Sequence, residues 1–268
     1  MNRTSRSPRN PHRRRRARAI AALFASLLLP LLVGLGSAEA AEFRVLQLNL
    51  CHSGVVSCYT GEAAIEQALA VIQGEDPDIV SLNEVCRADV PRLGGTGYAG
   101  WFTPARRPDG STVKCTNGDD YGIGMLYRAG TSLTSSASNT YAAQDSGSER
   151  RVWMCSRFGD GTAACVTHLS TSSSTAMKQC KELLNINMPF HTSGNAAVVA
   201  GDFNMRYSRW PWDTNVQDCV PSGFFRKGDG SVQHIMAQSA RFAFVATEVI
   251  DMDGTTDHPA LLVRFTRR

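Results

Sequence analysis

The pattern of apolar and polar positions predicts a chain of strands with few helices. Phe43 to Leu50 alternates and is rich in Val and Leu, which predicts a strand. The period then changes: Ile65, Ala68, Leu69 and Ile72 fall on one face of a helix over Ala63 to Gln73, and Pro77 keeps that helix from continuing. Asp78 to Leu82 reads as a buried strand ending at Asn83-Glu84. Gly122 to Tyr127, Val152 to Phe158 and Ala163 to His168 read as further strands, the last two joined by a turn at Gly159-Asp160-Gly161. Thr175 to Met188 is predicted helical, and Ala196 to Ala200 is a short apolar strand running into Gly201-Asp202. Val232 to Gln238 and Phe242 to Val249 read as a strand pair, and Ala260 to Phe265 as the closing strand. Many strands in mixed order with few helices fit an α/β sandwich of two packed sheets.

Ahead of this pattern, Arg13 to Arg16 and Arg18 precede an apolar run from Ile20 to Leu35, closed by Ala38-Glu39-Ala40. This is the three-part form of a secretory signal peptide over residues 1–40. A retained membrane anchor is the competing reading, but the run is short for a span and contains Pro30. Eight of the 28 Lys and Arg lie in that segment, against one of the 24 acidic residues. Residues 41–268 therefore carry a net charge of −3, so attraction to a polyanion has to come from a local patch. Their length suits one catalytic domain, and no repeat or low-complexity linker divides it.

All eight cysteines follow residue 40. An even count behind an export signal predicts disulfides and an extracellular location. Zinc ligation competes weakly, because no CxxC or close Cys/His cluster is present. Spacing favours Cys51–Cys58 and Cys155–Cys165, which leaves Cys86–Cys115 and Cys180–Cys219 by subtraction.

Polar residues of catalytic type sit where apolar strands end: Asn49, Glu84, His168, Asp202 and the Asp257-His258 pair. Each has a bland alternative. Glu84 could be a solvated loop acid, Asp202 and Asn204 an Asx turn, His168 a structural ring, and Asp257-His258 a surface turn. If the chain stays extended, Asp202 and Asn204 face the same way, while the adjacent Asp257 and His258 could face opposite ways.

In order, Gln47-Leu48-Asn49, Pro77 through Glu84-Val85, Thr167-His168-Leu169, Gly201-Asp202-Phe203-Asn204 and Thr256-Asp257-His258-Pro259 resemble the motif series of the endonuclease/exonuclease/phosphatase superfamily, the DNase I-like fold. The resemblance spans nearly all of residues 41–268. It implies a four-layer sandwich of two packed mixed β-sheets flanked by helices, and Mg²⁺-assisted hydrolysis of a phosphate ester, with Mn²⁺ or Ca²⁺ as other metals. By the same resemblance, Glu84, Asn49 and Asp257 are the metal ligands and His258 is the base for water. His168 is the phosphate-contacting histidine, Asp202 and Asn204 the orienting pair, and Arg151 a phosphate-contacting arginine, with Arg150 as its near alternative. Two positions depart from the pattern. Asn83 stands where the superfamily usually has Gln. Gln233 stands where many members carry an Asp that orients the base histidine, which leaves either weaker catalysis or a substitute acid such as Asp251 or Asp253.

A DNA-cleaving, non-sequence-specific nuclease is the first expectation for the substrate. Arg206, Arg209, Trp210 and Trp212 follow the Asn204 motif, and Arg106, Arg107 and Lys114 lie on another loop. Cations interleaved with aromatics suit a nucleic-acid strand, though ordinary surface and packing residues have the same composition. A sphingomyelinase or phospholipase-C-like enzyme is the second reading, with Val55-Val56 and Phe224-Phe225 as the short apolar candidates for lipid contact. A non-catalytic phosphate-binding or toxin-type member is the third, with Gln233 its best argument. The expected state is a monomer without membrane insertion.

Overall fold

The computed structural model describes residues 42–210 and 213–268. The predicted leader and Trp212 lie outside the described residues.

Twelve strands form two six-stranded sheets. The first runs in the order β11 (Phe242–Ile250), β12 (Ala260–Arg267), β1 (Glu42–Asn49), β2 (Ile79–Cys86), β4 (Tyr121–Arg128), β3 (Tyr98–Pro104). The second runs β5 (Leu133–Thr140), β6 (Val152–Phe158), β7 (Thr162–His168), β8 (Ala196–Asp202), β10 (Gln233–Gln238), β9 (Phe224–Gly228). Each has one parallel pair at its centre, β1–β2 and β7–β8, flanked by antiparallel neighbours.

Alternation along the strands explains the layering. On β1, Phe43 and Val45 point into the core between the sheets with Met125, Met154, Val166, Ile235 and Phe265. Leu46 and Leu48 point the other way, onto Ile65 and Ile72 of α1 (Glu62–Glu75) and Leu93 of α2 (Asp89–Gly94). The outer face of the second sheet is covered in the same manner. Ala176 of α3 (Ser173–Glu182), Leu183 of a π-helical turn and Met188 of α4 (Met188–Thr192) pack on Trp153 and Val199. Each large side chain buried in this way contributes roughly 1.5–3 kcal/mol. The result is the α/β sandwich of two packed sheets that the pattern predicts, in the four layers that the resemblance implies.

Several details differ from the sequence reading. Strands β10 and β11 do not pair with each other: they lie in opposite sheets, and the connection between them crosses the sandwich. The predicted helix over Thr175 to Met188 forms within one continuous helical run, Ser173 to Thr192, that is π-helical over Leu183–Asn187. Strand β2 does not end at Glu84 but continues to Cys86. Strands β3, β5 and β9 were not predicted. All three are edge strands, largely half-buried or exposed, and β5 (LTSSASNT) carries almost no apolar signal. All four expected disulfides form, and no described cysteine is free.

Candidate active site

The parallel pair of the first sheet brings Asn49 of β1 into register with Asn83 of β2. At that point β2 bulges against β4, and Glu84 takes a left-handed backbone with φ 55°. A bulge sets two residues against one partner, so Asn83 turns inward while Glu84 faces out. Buried Asn83 accepts from Gln47 Nε2 at 2.8 Å and from the Asp202 N–H at 2.7 Å, and its Nδ2 donates to the Thr167 carbonyl at 3.0 Å. It thereby ties one sheet to the other. Left-handed backbone at a non-glycine costs about 1–3 kcal/mol and persists only where its surroundings hold it. Here the His52 N–H donates to the Glu84 carbonyl at 2.8 Å. Asp89 Oδ2 accepts from the Cys86 N–H at 2.7 Å and lies 2.8 Å from His52 Nδ1. The flanking loops are pinned by Cys51–Cys58 and Cys86–Cys115, and the Thr116 N–H donates to the Ser53 carbonyl at 2.9 Å.

The second sheet reaches the same place through regular backbone. His168 and Asp202 are register partners at the ends of β7 and β8. Asp202 Oδ1 accepts from the Asn204 N–H at 2.8 Å, and Asn204 has φ 49°. The chain is therefore turned here, not extended, and the Asx turn coexists with a place for both residues on the cleft lining. Asn204 Nδ2 donates to the Leu169 carbonyl at 2.8 Å.

Asn49 joins the halves. Its Nδ2 donates to Glu84 Oε1 at 3.0 Å and to Asp202 Oδ2 at 3.2 Å. His258, on the β11–β12 loop, places Nε2 3.6 Å from Asp202 Oδ2 and 3.8 Å from Asp257 Oδ1. Asp257 and His258 thus share one side, and Thr256 Oγ1 anchors their loop on the Asn49 carbonyl at 2.9 Å. Arg151 Nη1 donates to His168 Nδ1 at 2.9 Å. A guanidinium can only donate, so the ring proton of His168 is on Nε2, 3.9 Å from Glu84 Oε1. Burial, followed by Arg151 and His258, pushes the His168 imidazole well below its ordinary value, which keeps it neutral.

These groups open into a cleft of about 470 Å³. Glu84, Asp202, Asn204, His168, Arg151, Asp257 and His258 all line it, while buried Asn49 lies beneath. Arg150 does not line it; its backbone pairs with Arg106. The sequence reading missed Glu149, which lies two residues before Arg151 on the cleft wall, with Oε1 3.2 Å from Arg151 Nη1. That spacing, an acid and a base sharing one side of an extended segment, was the available signal. Arg206, Arg209 and Trp210 are exposed and lie outside the lining, whereas Lys114 lines it and is paired with Asp120 at 2.7 Å.

Gln233 does not take over an acid's place beside His258. Its Nε2 donates to the Pro259 carbonyl and to Asp229 Oδ2, and its Oε1 accepts from Gln47. Asp251 and Asp253 are exposed and linked to each other through the Asp253 N–H. Among the described residues the carboxylates beside His258 are Asp202 and Asp257.

The donor set fits a hard divalent cation. Four carboxylates line the cleft against the cations Arg151 and Lys114. Burial first, then Asp202 and Asp257, raise the Glu84 carboxyl, and burial raises that of Asp202. An oxygen-seeking ion relieves this crowding. Cysteine does not supply a metal ligand here: the tight His/Cys/acid groups among the described residues, Cys51-Cys58-Asp257 and His52-Cys86-Asp89, contain cysteines already joined in disulfides.

Residues 46–258 match the Endonuclease/Exonuclease/phosphatase family. The chain belongs to that family. No curated protein matches it by sequence. Among solved structures, the catalytic domain of human Nocturnin with bound sulfate is 20% identical, with a TM-score of 0.66 over 86% of this chain and 97% of that one. An endonuclease/exonuclease/phosphatase from Beutenbergia cavernae is 19% identical, with a TM-score of 0.67 over 85% and 72%. D. rerio TDP2 complexed with a single-strand DNA product is 14% identical, with a TM-score of 0.64 over 84% and 99%. At these identities the likeness to the solved structures concerns the fold.

Proposed function

We propose that this chain is a secreted, metal-dependent phosphodiesterase that cleaves nucleic acid, DNA first, without sequence specificity. The observation that carries the reading is the Asn49 amide holding Glu84 and Asp202, acids from opposite sheets, at 3.0 and 3.2 Å in one cleft. Glu84 and Asp257 would hold Mg²⁺, and Asn49 beneath, whose Oδ1 accepts from the Cys51 N–H, would hold Glu84 in place through its Nδ2. When bound, the ion supplies positive charge to the phosphoryl oxygens and the leaving oxygen.

The protein's own groups then divide the work. His258 accepts a proton from the attacking water, and Asp202, 3.6 Å away, stabilises the imidazolium that forms. Asp202 and Asn204 orient the water and the phosphoryl group. Neutral His168 donates its Nε2–H to a phosphoryl oxygen, and Arg151 behind it fixes that tautomer and adds charge. Gln233 holds the Pro259 carbonyl, next in the chain to His258, so it positions the base through the backbone.

Export fits the four disulfides, and no described helix is long and apolar enough to cross a membrane. Arg206, Arg209 and Trp210 would guide a strand outside the cleft. One observation favours the lipid reading as the second choice: Val55 and Val56 stand 67% and 50% exposed at the cleft wall.

Plasmid DNA and sphingomyelin assays with Mg²⁺ or EDTA, on the wild type and His258→Ala, test both readings. Mg²⁺-dependent DNA cleavage lost in the variant supports the nuclease. Headgroup release without DNA cleavage moves the enzyme to lipid, and silence on both substrates sinks both readings and points to a different substrate or to a site that binds without turnover.

A further inference from the structure

One cleft carboxylate has no part in that reaction. Glu149 places Oε1 3.2 Å from Arg151 Nη1, the same nitrogen that donates to His168 Nδ1. Its side chain is only 24% exposed and faces the cleft. The Arg151 charge is therefore already matched by an anion of the protein, in a lining where Glu84, Asp202 and Asp257 add further negative charge.

The two classes of phosphate ester meet this arrangement differently. A diester brings one negative charge. A monoester brings close to two, on terminal oxygens crowded together. Like charges a few ångströms apart in a partly buried site repel strongly, and selectivity between ligands can come from repulsion built against one of them. We infer that Glu149 makes the cleft select phosphate diesters over monoesters, by keeping beside Arg151 a fixed negative charge that a singly charged phosphate tolerates and a doubly charged one does not. This rests on the phosphodiesterase reading of the cleft and names a residue that sets its ester class. Burial raises the Glu149 carboxyl, and the Arg151 guanidinium opposes that rise and favours the charged form.

The test compares bis(p-nitrophenyl) phosphate with p-nitrophenyl phosphate in Mg²⁺. Both release p-nitrophenolate, so the leaving group is constant. Wild type, Glu149→Gln and Glu149→Asp are assayed for kcat and KM. The Gln variant keeps an oxygen acceptor for Arg151 and removes the charge. It is expected to lower the diester-to-monoester ratio of kcat/KM about tenfold, mainly through a lower KM for the monoester, and the Asp variant restores the ratio. Calorimetric binding of inorganic phosphate against dimethyl phosphate gives the same comparison without turnover. Equal losses on both esters would show that Glu149 only holds Arg151 in place, and an unchanged ratio would show that it does neither; each overturns the inference while leaving the hydrolase intact. A wild type that cleaves neither ester overturns the phosphodiesterase reading, and this inference falls with it.

Discussion

In the second sheet, His168 and Asp202 arrive at the cleft as register partners on two regular parallel strands. In the first sheet the equivalent register pair is Asn49 and Asn83, and the acid that faces the cleft is Glu84, one residue further on a bulge. The bracing follows this difference. Cys51–Cys58 and Cys86–Cys115 lie beside the bulged edge, whereas Cys155–Cys165 and Cys180–Cys219 lie in the outer apolar layer of the second sheet. Regular strands position a side chain through their ladder alone. A left-handed acid needs its surroundings to hold it, and the Asp89–His52 pair and the disulfides do so.

The largest expected effect lies at the ionisable groups that each half brings to the cleft. His258→Ala and Glu84→Ala should each lower kcat/KM on bis(p-nitrophenyl) phosphate by about 10³-fold, and His168→Ala by about 10²-fold. Equal and small losses from the second-sheet and first-sheet variants would break the division of labour.

Next come the disulfides. Replacing Cys86 and Cys115 by Ser should cost about 3–4 kcal/mol in urea unfolding and lower kcat with it, because the bulge loosens. Replacing Cys180 and Cys219 should cost as much stability but leave kcat of the surviving folded protein unchanged. A kcat loss of equal size in both pairs would remove the distinction between the two edges.

The second sheet should also carry the acid sensitivity. Burial lowers His234 to about 4, with Nδ1 receiving Arg226 and Nε2 facing the Met205 carbonyl at 2.8 Å. The unfolded ring titrates near 6.5. As pH falls from there towards 4, the unfolded state binds the proton and the folded state does not, so stability falls by roughly 3 kcal/mol. His168, lowered for the same reason, acts in the same direction. His234→Gln should flatten the slope of urea midpoint against pH; an unchanged slope would assign the sensitivity elsewhere.

The smallest effect is expected at the bridge. Asn49→Ala removes one amide from two carboxylates and should cost about tenfold in activity, with weaker Mg²⁺ dependence on titration.

Much of this site was legible in sequence because strand ends are legible. Apolar runs stop at Asn49, His168 and Asp202, and the polar residue that follows is conspicuous. The bulge at Glu84 left no trace, since Leu82-Asn83-Glu84-Val85-Cys86 reads as a strand end whether or not the backbone turns left-handed. Asn83 illustrates the same limit: only a packed sandwich shows that its amide is spent between the sheets. The assignment of β10 and β11 to opposite sheets was also invisible, because both have strand composition and alternation does not name a partner. Glu149 was missed because it follows no apolar run.

The pairing of β1 with β12 sets a time order on assembly. Glu42 pairs with Thr266 and Gln47 with Leu261, so the strand that carries Asn49 stays open along one side until residues 260–267 are delivered. Among the described residues, the loop bearing Asp257 and His258 is fastened to Asn49 through Thr256 and through β12 beyond it. A chain that stops short of residue 256 therefore holds most of the cleft residues yet neither the Asp257-His258 pair nor a closed first sheet, so the cleft is completed only once residues 256–267 are in place.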